Sequence, residues 1–181
     1  MQDLGASWAL VGGLAVSART EPRFTRDADL AVAVPDDRRA ENLVHRLLQR
    51  GYTVVATMEQ EAAHRLATVR LAAPGETSEG VVVDLLFASS GIESEVVTEA
   101  EPLTILEGFV APVATLGHLL ALKVLARDDV RRPQDQLDIR SLVEAAEPGD
   151  LQVARRALGL IEERGFHRDK DLLADFEGLT R

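Results

Sequence analysis

WALVGG, residues Trp8–Gly13, decides the fold of this chain together with RFTRDADL, residues Arg23–Leu30. The apolar residues before the two glycines predict a short buried strand that ends in a tight turn. Glycine lets backbone N–H groups approach an anion closely, and a helix starting just after the turn directs its positive end to the same point. The turn therefore predicts a phosphate contact at Gly12 and Gly13, although an isolated Gly-Gly pair is more typical of an ordinary turn.

A second strand is predicted at residues 29–34, and side chains two apart on a strand share one face. Asp27 and Asp29 would therefore point together, and adjacent carboxylates repel unless positive charge lies between them. Hard divalent cations such as Mg²⁺ take oxygen ligands of this kind, so the pair predicts a metal site. The alternative is a solvated strand start at which Arg23 and Arg26 pair with the two aspartates on the surface.

Asp84 is the only acidic residue in an apolar, β-branched run, residues 81–87. An ionised carboxylate in a core strand needs a partner such as a cation or an arginine. Together Asp27, Asp29 and Asp84 predict a site for Mg²⁺ or Mn²⁺ that bridges a nucleoside triphosphate and activates a hydroxyl. Thr25 alternates to the same face, where it contacts phosphate or lines the cleft.

These motifs resemble the nucleotidyltransferase superfamily with the DNA polymerase β-like fold, and are most similar to its AbiEii/AbiGii-type branch of type IV toxins. The resemblance covers roughly residues 8–145, because a lysine-bearing helix and a later Asp-x-x-Asp segment follow in the same order. It implies that Asp27, Asp29 and Asp84 are catalytic and hold the metal. The nucleotide contacts that we expect are Gly12, Gly13, Thr25 and Lys123.

The helix that carries Lys123 is strongly apolar, so this lysine either extends its amine to solvent or, as the resemblance implies, contacts a phosphate. Arg127 lies one turn further on. It either extends the same positive stripe or pairs with Asp128 or Asp129.

Asp135 and Asp138 are three residues apart and would share one face of the next helix. Either carboxylate anchors Arg127 or Arg131, or orients Lys123. We expect a structural role for both.

Hydrophobic periodicity predicts an α/β (α+β) fold with a mixed, mostly antiparallel sheet flanked by helices and a C-terminal helical part. The resemblance implies that this is the nucleotidyltransferase fold. We expect a catalytic α/β domain over residues 1–114 and a helical region over residues 115–181. The predicted strands beyond the first two cover residues 52–58, 65–72, 81–88 and a pair within 102–113. Helices are predicted at residues 40–48, 115–127, 133–146, 150–164 and 169–179, with residues 89–100 as a short helix or loop.

The composition narrows the function classes. The chain of 181 residues has no cysteine, which excludes disulfides and thiolate chemistry. No apolar run is long enough to span a membrane and no secretion signal is present, so a soluble, cytoplasmic protein is expected, with no membrane partner. The net charge of −10 argues against a broad basic surface for nucleic acid, although basic residues concentrate around Lys123–Arg140.

The function predicted from these features is metal-dependent transfer of a nucleoside monophosphate from a triphosphate to a hydroxyl acceptor. The resemblance implies a toxin that acts on tRNA or protein and is controlled by a cognate antitoxin. Two alternatives stay open. One is an aminoglycoside-type enzyme with a small-molecule acceptor, which the acidic surface favours, and the other is a nucleotide-binding regulatory module of the same fold without turnover.

Overall fold

A seven-stranded sheet forms the centre of the computed structural model, which describes residues 1–60, 63–77, 79–128 and 133–180. The strands are β1 Ser7–Val11, β2 Asp27–Ala33, β3 Thr53–Gln60, β4 Arg65–Ala72, β5 Val82–Leu86, β6 Glu101–Leu106 and β7 Phe109–Val113. They lie in the order β3-β4-β5-β2-β1-β7-β6, so the two strands that carry the aspartates are neighbours in the middle.

The sheet is mixed and mostly antiparallel, as predicted. β2 pairs parallel with β5 and β1 pairs parallel with β7, whereas the β1–β2, β3–β4, β4–β5 and β6–β7 pairs are antiparallel. The predicted fold class is therefore confirmed.

Helices lie between the strands and after them. The described helices are α1 Gly12–Arg19, α2 Asp37–Leu48, α3 Glu93–Thr98, α4 Leu116–Ala126, α5 Pro133–Ala145, α6 Pro148–Glu163 and α7 Leu172–Leu179, and a 3₁₀ turn spans Gln2–Leu4. α1 and α3 pack against β1 and β2, and α4 packs against α1, α5, α6 and α7. None of the helices in the described segments is both long and apolar enough to cross a membrane.

Several element boundaries differ from the sequence prediction, among them those of β2 and α7. β2 begins at Asp27, two residues early, so both aspartates lie within the strand. α7 begins at Leu172 because Arg168 and Asp169 adopt left-handed backbone conformations, with φ of 55° and 57°, which no α-helix contains.

One buried apolar cluster runs through the sheet and the later helices. It includes Val11 and Leu85 in the strands and Leu120, Leu158 and Phe176 in α4, α6 and α7, each at most 1% exposed. α4 and α6 approach very closely at Gly117, where an added Cβ would lie 2.5 Å from the Asp150 carbonyl oxygen. The helix that carries Lys123 is thus fixed to the rest of the fold by backbone proximity.

We predict that Gly117→Ala lowers the free energy of unfolding by about 1–3 kcal/mol, because the new methyl group forces α4 and α6 apart. Gly159→Ala in α6 is the matched control, since no atom lies within 4 Å of its added Cβ. The control should instead stabilise the protein by up to about 1 kcal/mol through helix propensity. Urea unfolding measures both, and equal effects of the two substitutions would contradict the close packing.

Candidate functional site

The structure brings Asp29 and Asp84 side by side. They are direct neighbours in the parallel pairing of β2 with β5, so their side chains leave the same face of the sheet. Asp27 lies two residues before Asp29 on that face. The structure therefore brings Asp29 and Asp84 together as predicted, and Asp27 lies at the edge of this pair.

The close approach of the Asp29 carboxylate requires a glycine at position 12. Its φ is +64°, which side chains rarely adopt, and an added Cβ would lie 1.8 Å from the Asp29 Oδ2 atom. α1 begins at this residue, so its N-terminal turn adjoins the carboxylate. Gly13 is also tight, because its added Cβ would meet the Arg23 guanidinium at 2.5 Å. The two glycines make room for Asp29 and Arg23, while their contact with phosphate stays a prediction.

Arg70 is the partner of Asp84, and the sequence analysis missed this residue. It lies directly opposite Asp84 in the β4–β5 hairpin, and its Nε and Nη2 donate to the two carboxylate oxygens at 2.8 and 2.6 Å. A signal was present in the sequence, because a hairpin turning near Thr77 places Arg70 across from Asp84. This two-pronged contact gives the buried Asp84 carboxylate a charged partner.

No arginine among the described residues donates to Asp29, and its electrostatics differ accordingly. Burial raises the pKa of its carboxyl to about 6, and the charges of Asp84 and Asp27 add to the rise while Lys123 opposes it. A group with this pKa is poorly compensated in the protein alone. The face therefore carries a surplus of negative charge beside the Gly12 turn.

Lys123 belongs to a four-residue charge network. Its Nζ lies 2.7 Å from Asp135 Oδ1 and 2.7 Å from Asp138 Oδ2, and Asp138 also receives two hydrogen bonds from Arg23 at 2.8 Å. Burial alone would raise the pKa of Asp138, but the hydrogen bonds from Arg23 and Lys123 outweigh it and lower that pKa. Of the roles considered for Asp135 and Asp138, the structure shows that they orient Lys123.

The same network bears on the two interpretations of Asp27 and Asp29, which are a metal site and surface pairing with Arg23 and Arg26. Arg23 pairs with Asp138, and Arg26 lies with its guanidinium 5.9 Å from the ring centre of Phe24. Thr25 Oγ1 donates to the Asp27 carbonyl oxygen at 3.4 Å. Surface pairing of Arg23 and Arg26 therefore does not account for the two strand aspartates.

Two of the remaining alternatives involve residues that fall outside the described segments. Asp129 and Arg131 are not described, so pairing of Arg127 with Asp129 and anchoring of Arg131 stay open.

A cleft of about 410 Å³ opens at the carboxylate pair. Its walls come from β3, β4, β5, the β1–α1 turn, α4, α5 and the α6–α7 loop. They include Gly12, Asp29, Met58, Glu59, Arg70, Asp84, Ser90, Lys123, Asp135 and Arg168.

The loop after β5 closes one end of this cleft. Buried Glu93 accepts hydrogen bonds from the Ser89 and Ser90 backbone N–H groups and from the Ser90 hydroxyl, all at 2.7–2.9 Å. Arg168 donates to the Ser89 carbonyl oxygen at 3.1 Å. The cleft end is therefore built from fixed backbone.

A second cavity of about 420 Å³ lies on the opposite face of the sheet, lined mainly by apolar residues such as Trp8, Leu30 and Leu85. Leu30 and Leu85 alternate with the aspartates along β2 and β5. The carboxylate pair, the buried lysine and the glycine turn all face the first cleft, which makes that cleft the candidate site.

A metal ion suits the charges of this site, although no complete ligand set is preformed. Among the described residues, no three acidic or histidine side chains lie close enough to hold a metal together. The Asp29–Asp84 pair and the raised pKa of Asp29 nevertheless show a deficit of positive charge that a divalent cation with oxygen preference would relieve. The donor set therefore fits Mg²⁺ or Mn²⁺.

Comparison with known proteins places the chain among nucleotide-transferring enzymes. A family model described as "Nucleotidyl transferase AbiEii toxin, Type IV TA system" matches residues 1–179. No curated protein matches the chain significantly.

Solved structures share the fold. An antigenic nucleotidyltransferase-like protein from Paracoccidioides brasiliensis has a TM-score of 0.55 at 25% identity, and the match covers 97% of this chain and 86% of that one. Lincomycin-bound LnuA, a lincosamide antibiotic adenylyltransferase, has a TM-score of 0.50 at 14% identity, with 80% and 90% covered. The antibiotic-resistance factor ANT(2'')-Ia has a TM-score of 0.51 at 18% identity, and the match covers 92% of this chain and 91% of that one.

We predict that Asp29→Asn stabilises the protein at pH 7 in the presence of a chelator. The folded-state pKa of about 6 lies above the ordinary aspartate pKa of 3.8, so the folded protein binds more protons than the unfolded chain between these two pH values and loses stability as pH rises from 4 to 6. A shift of this size corresponds to roughly 3 kcal/mol. Thermal unfolding should show the gain at pH 7 and its disappearance below pH 4, and a variant less stable than wild type at pH 7 would contradict the assignment.

We also predict that Gly12→Ala destabilises the protein more than Gly75→Ala. Gly75 has φ of +82° and open space around it, so its substitution costs only the left-handed backbone strain, about 1–2 kcal/mol. Gly12→Ala adds a collision with the Asp29 carboxylate. Urea midpoints compare the two variants, and equal losses would show that Asp29 moves away freely.

Proposed function

The chain belongs to the AbiEii nucleotidyltransferase toxin family, and we propose from this premise that it transfers a nucleoside monophosphate from a triphosphate to a hydroxyl acceptor. The observation that supports this reaction at the cleft is the Asp29–Asp84 pair beside the Gly12 turn. We propose that the protein acts in the cytoplasm. We also propose that the reaction depends on Mg²⁺ or Mn²⁺.

Asp27, Asp29 and Asp84 are the proposed metal-holding and catalytic residues. A divalent cation bound there would neutralise phosphate charge and make the acceptor hydroxyl easier to deprotonate. Arg70 donates to both oxygens of Asp84, and each oxygen retains a further lone pair for the acceptor hydroxyl or the metal. Asp84 is thus suited to accept the proton of the attacking hydroxyl.

The nucleotide contacts belong to two parts of the chain. Backbone N–H groups of Gly12 and Gly13 at the start of α1, with Thr25, are proposed to hold the phosphates from the sheet side. Lys123 faces them from α4, oriented by its two carboxylates. We accordingly propose residues 1–114 as the catalytic α/β domain and residues 115–181 as a helical region that completes the nucleotide site.

The family description names a type IV toxin of a toxin–antitoxin system, which supports a tRNA or protein acceptor and a cognate antitoxin. A small-molecule acceptor is the second candidate. The exposed Glu59 carboxylate on the cleft wall favours a cationic acceptor of the aminoglycoside kind. LnuA and ANT(2'')-Ia share the fold at low identity, so they support this alternative only as fold relatives.

The deciding experiment incubates the purified protein with each labelled nucleoside triphosphate, Mg²⁺ and separated whole-cell RNA, protein and aminoglycosides. Label should enter one acceptor class, and Asp29→Asn should reduce transfer by at least about 10³-fold, because it removes a reacting-site charge at nearly constant volume. Asp175→Asn, on the exposed face of α7, is the matched control and should retain full transfer. Label transfer that survives in Asp29→Asn would overturn the assignment. A nucleotide-induced thermal shift in wild type without any transfer would favour the nucleotide-binding module without turnover.

A further inference from the structure

One oxygen of the Asp135 carboxylate is buried without a hydrogen-bond donor. The side chain is 7% exposed, and its Oδ1 accepts from Lys123 Nζ at 2.7 Å. Oδ2 has no partner within the part of the chain that the structure describes. Buried polar atoms are nearly always paired, and an unpaired one costs about 1–3 kcal/mol, so this oxygen calls for a physical explanation.

The neighbouring carboxylate shows that the network itself does not require an unpaired oxygen. Asp138 accepts from Arg23 on both oxygens, contacts Lys123, and also accepts from Gln134 at 3.3 Å. Asp138 alone therefore already couples Lys123 to Arg23. Asp135 adds an acceptor that the fold does not use.

The spare acceptor belongs to the wall of the catalytic cleft. Asp135 lines this cleft together with Asp29, Asp84 and Lys123, whereas Asp138 does not. A hydrogen-bond donor on a ligand bound beside Asp135 in the cleft would satisfy Oδ2 and remove the cost of its burial.

The charge of Asp135 limits what this donor can be. A phosphate is anionic and has no donor at neutral pH, so it is repelled from this oxygen. A nucleoside triphosphate offers ribose hydroxyls, which all four ribonucleotides share, and carboxylates hold ribose hydroxyls in other nucleotide-binding folds. Asp135 forms an ion pair with Lys123, and hydrogen bonds to charged groups are among the strong ones.

We propose that Asp135 Oδ2 accepts a hydrogen bond from a ribose hydroxyl of the bound nucleoside triphosphate, so that this residue selects ribonucleotides over deoxyribonucleotides. The inference rests on the proposed function, because it takes the cleft to be the nucleotide site. It assigns Asp135 to sugar recognition, separate from the carboxylates proposed to hold the metal.

The test measures binding of the full chain, with Mg²⁺, to ATP, 2'-deoxy-ATP, 3'-deoxy-ATP and ITP by calorimetry, after confirming which base binds best and matching the analogues to it. Wild type should bind the ribonucleotide roughly ten- to hundredfold more tightly than the deoxy form that lacks the contacted hydroxyl, as expected for a hydrogen bond to a charged group. Asp135→Ala should lose this preference. Asp135→Asn, which keeps the shape, should reduce it to a few-fold.

Glu59→Gln is the matched control, because it removes a carboxylate from the same cleft without touching the network, and it should keep the full ribose preference. Equal binding of all sugars by wild type would overturn the inference while leaving nucleotide binding intact. So would an unchanged preference in both Asp135 variants, or a loss confined to ITP, which would indicate a base amine. If wild type binds no nucleotide at all, the proposed function fails together with the inference.

Discussion

The side-by-side placement of two carboxylates on adjacent central strands is the constraint on which the rest of the site depends. Asp29 and Asp84 leave the same face of the sheet, and burial alone makes their charges costly. Arg70 reduces this cost for Asp84 through two direct hydrogen bonds, whereas Asp29 receives only the longer-range attraction of Lys123 and Arg70. Such an arrangement lowers the stability of the protein, and strongly perturbed carboxyl groups in a cleft are characteristic of functional sites.

The helices that follow the sheet form the wall of the cleft that lies across from the two strand aspartates. Lys123 on α4 is fixed by Asp135 and Asp138 on α5, and Asp138 in turn holds Arg23 in the segment that leads into β2. The α6–α7 loop contacts both walls of the cleft. Lys170 donates to the Leu125 and Arg127 carbonyl oxygens at the end of α4, and Arg168 donates to the Ser89 carbonyl oxygen in the loop after β5. The arrangement of the two walls is therefore set by charged contacts between distant segments, in addition to the shared apolar core.

The sequence predicted those features of the fold and site that follow from local pattern. Strand alternation placed Asp27 and Asp29 on one face, and the isolated charge of Asp84 required a partner that the structure supplies. Arg70 was missed because its role depends on hairpin register, which a one-residue shift would reverse. The bond between Arg23 and Asp138 joins residues 115 positions apart, and no periodicity carries information about such a contact.

The charge balance of the cleft links the proposed cation to the nucleotide. Arg70 is committed to Asp84, and Lys123 contacts two carboxylates, so these two cations are largely neutralised before any ligand binds. The positive charge that a triphosphate needs near Asp29 must then arrive with the ligand. Since coupling between two bound species is reciprocal, the proposed cation and the nucleotide would each strengthen the binding of the other. Because the pKa of Asp29 is about 6, we expect this coupling to weaken below that pH, where a proton competes with the cation for the same oxygens.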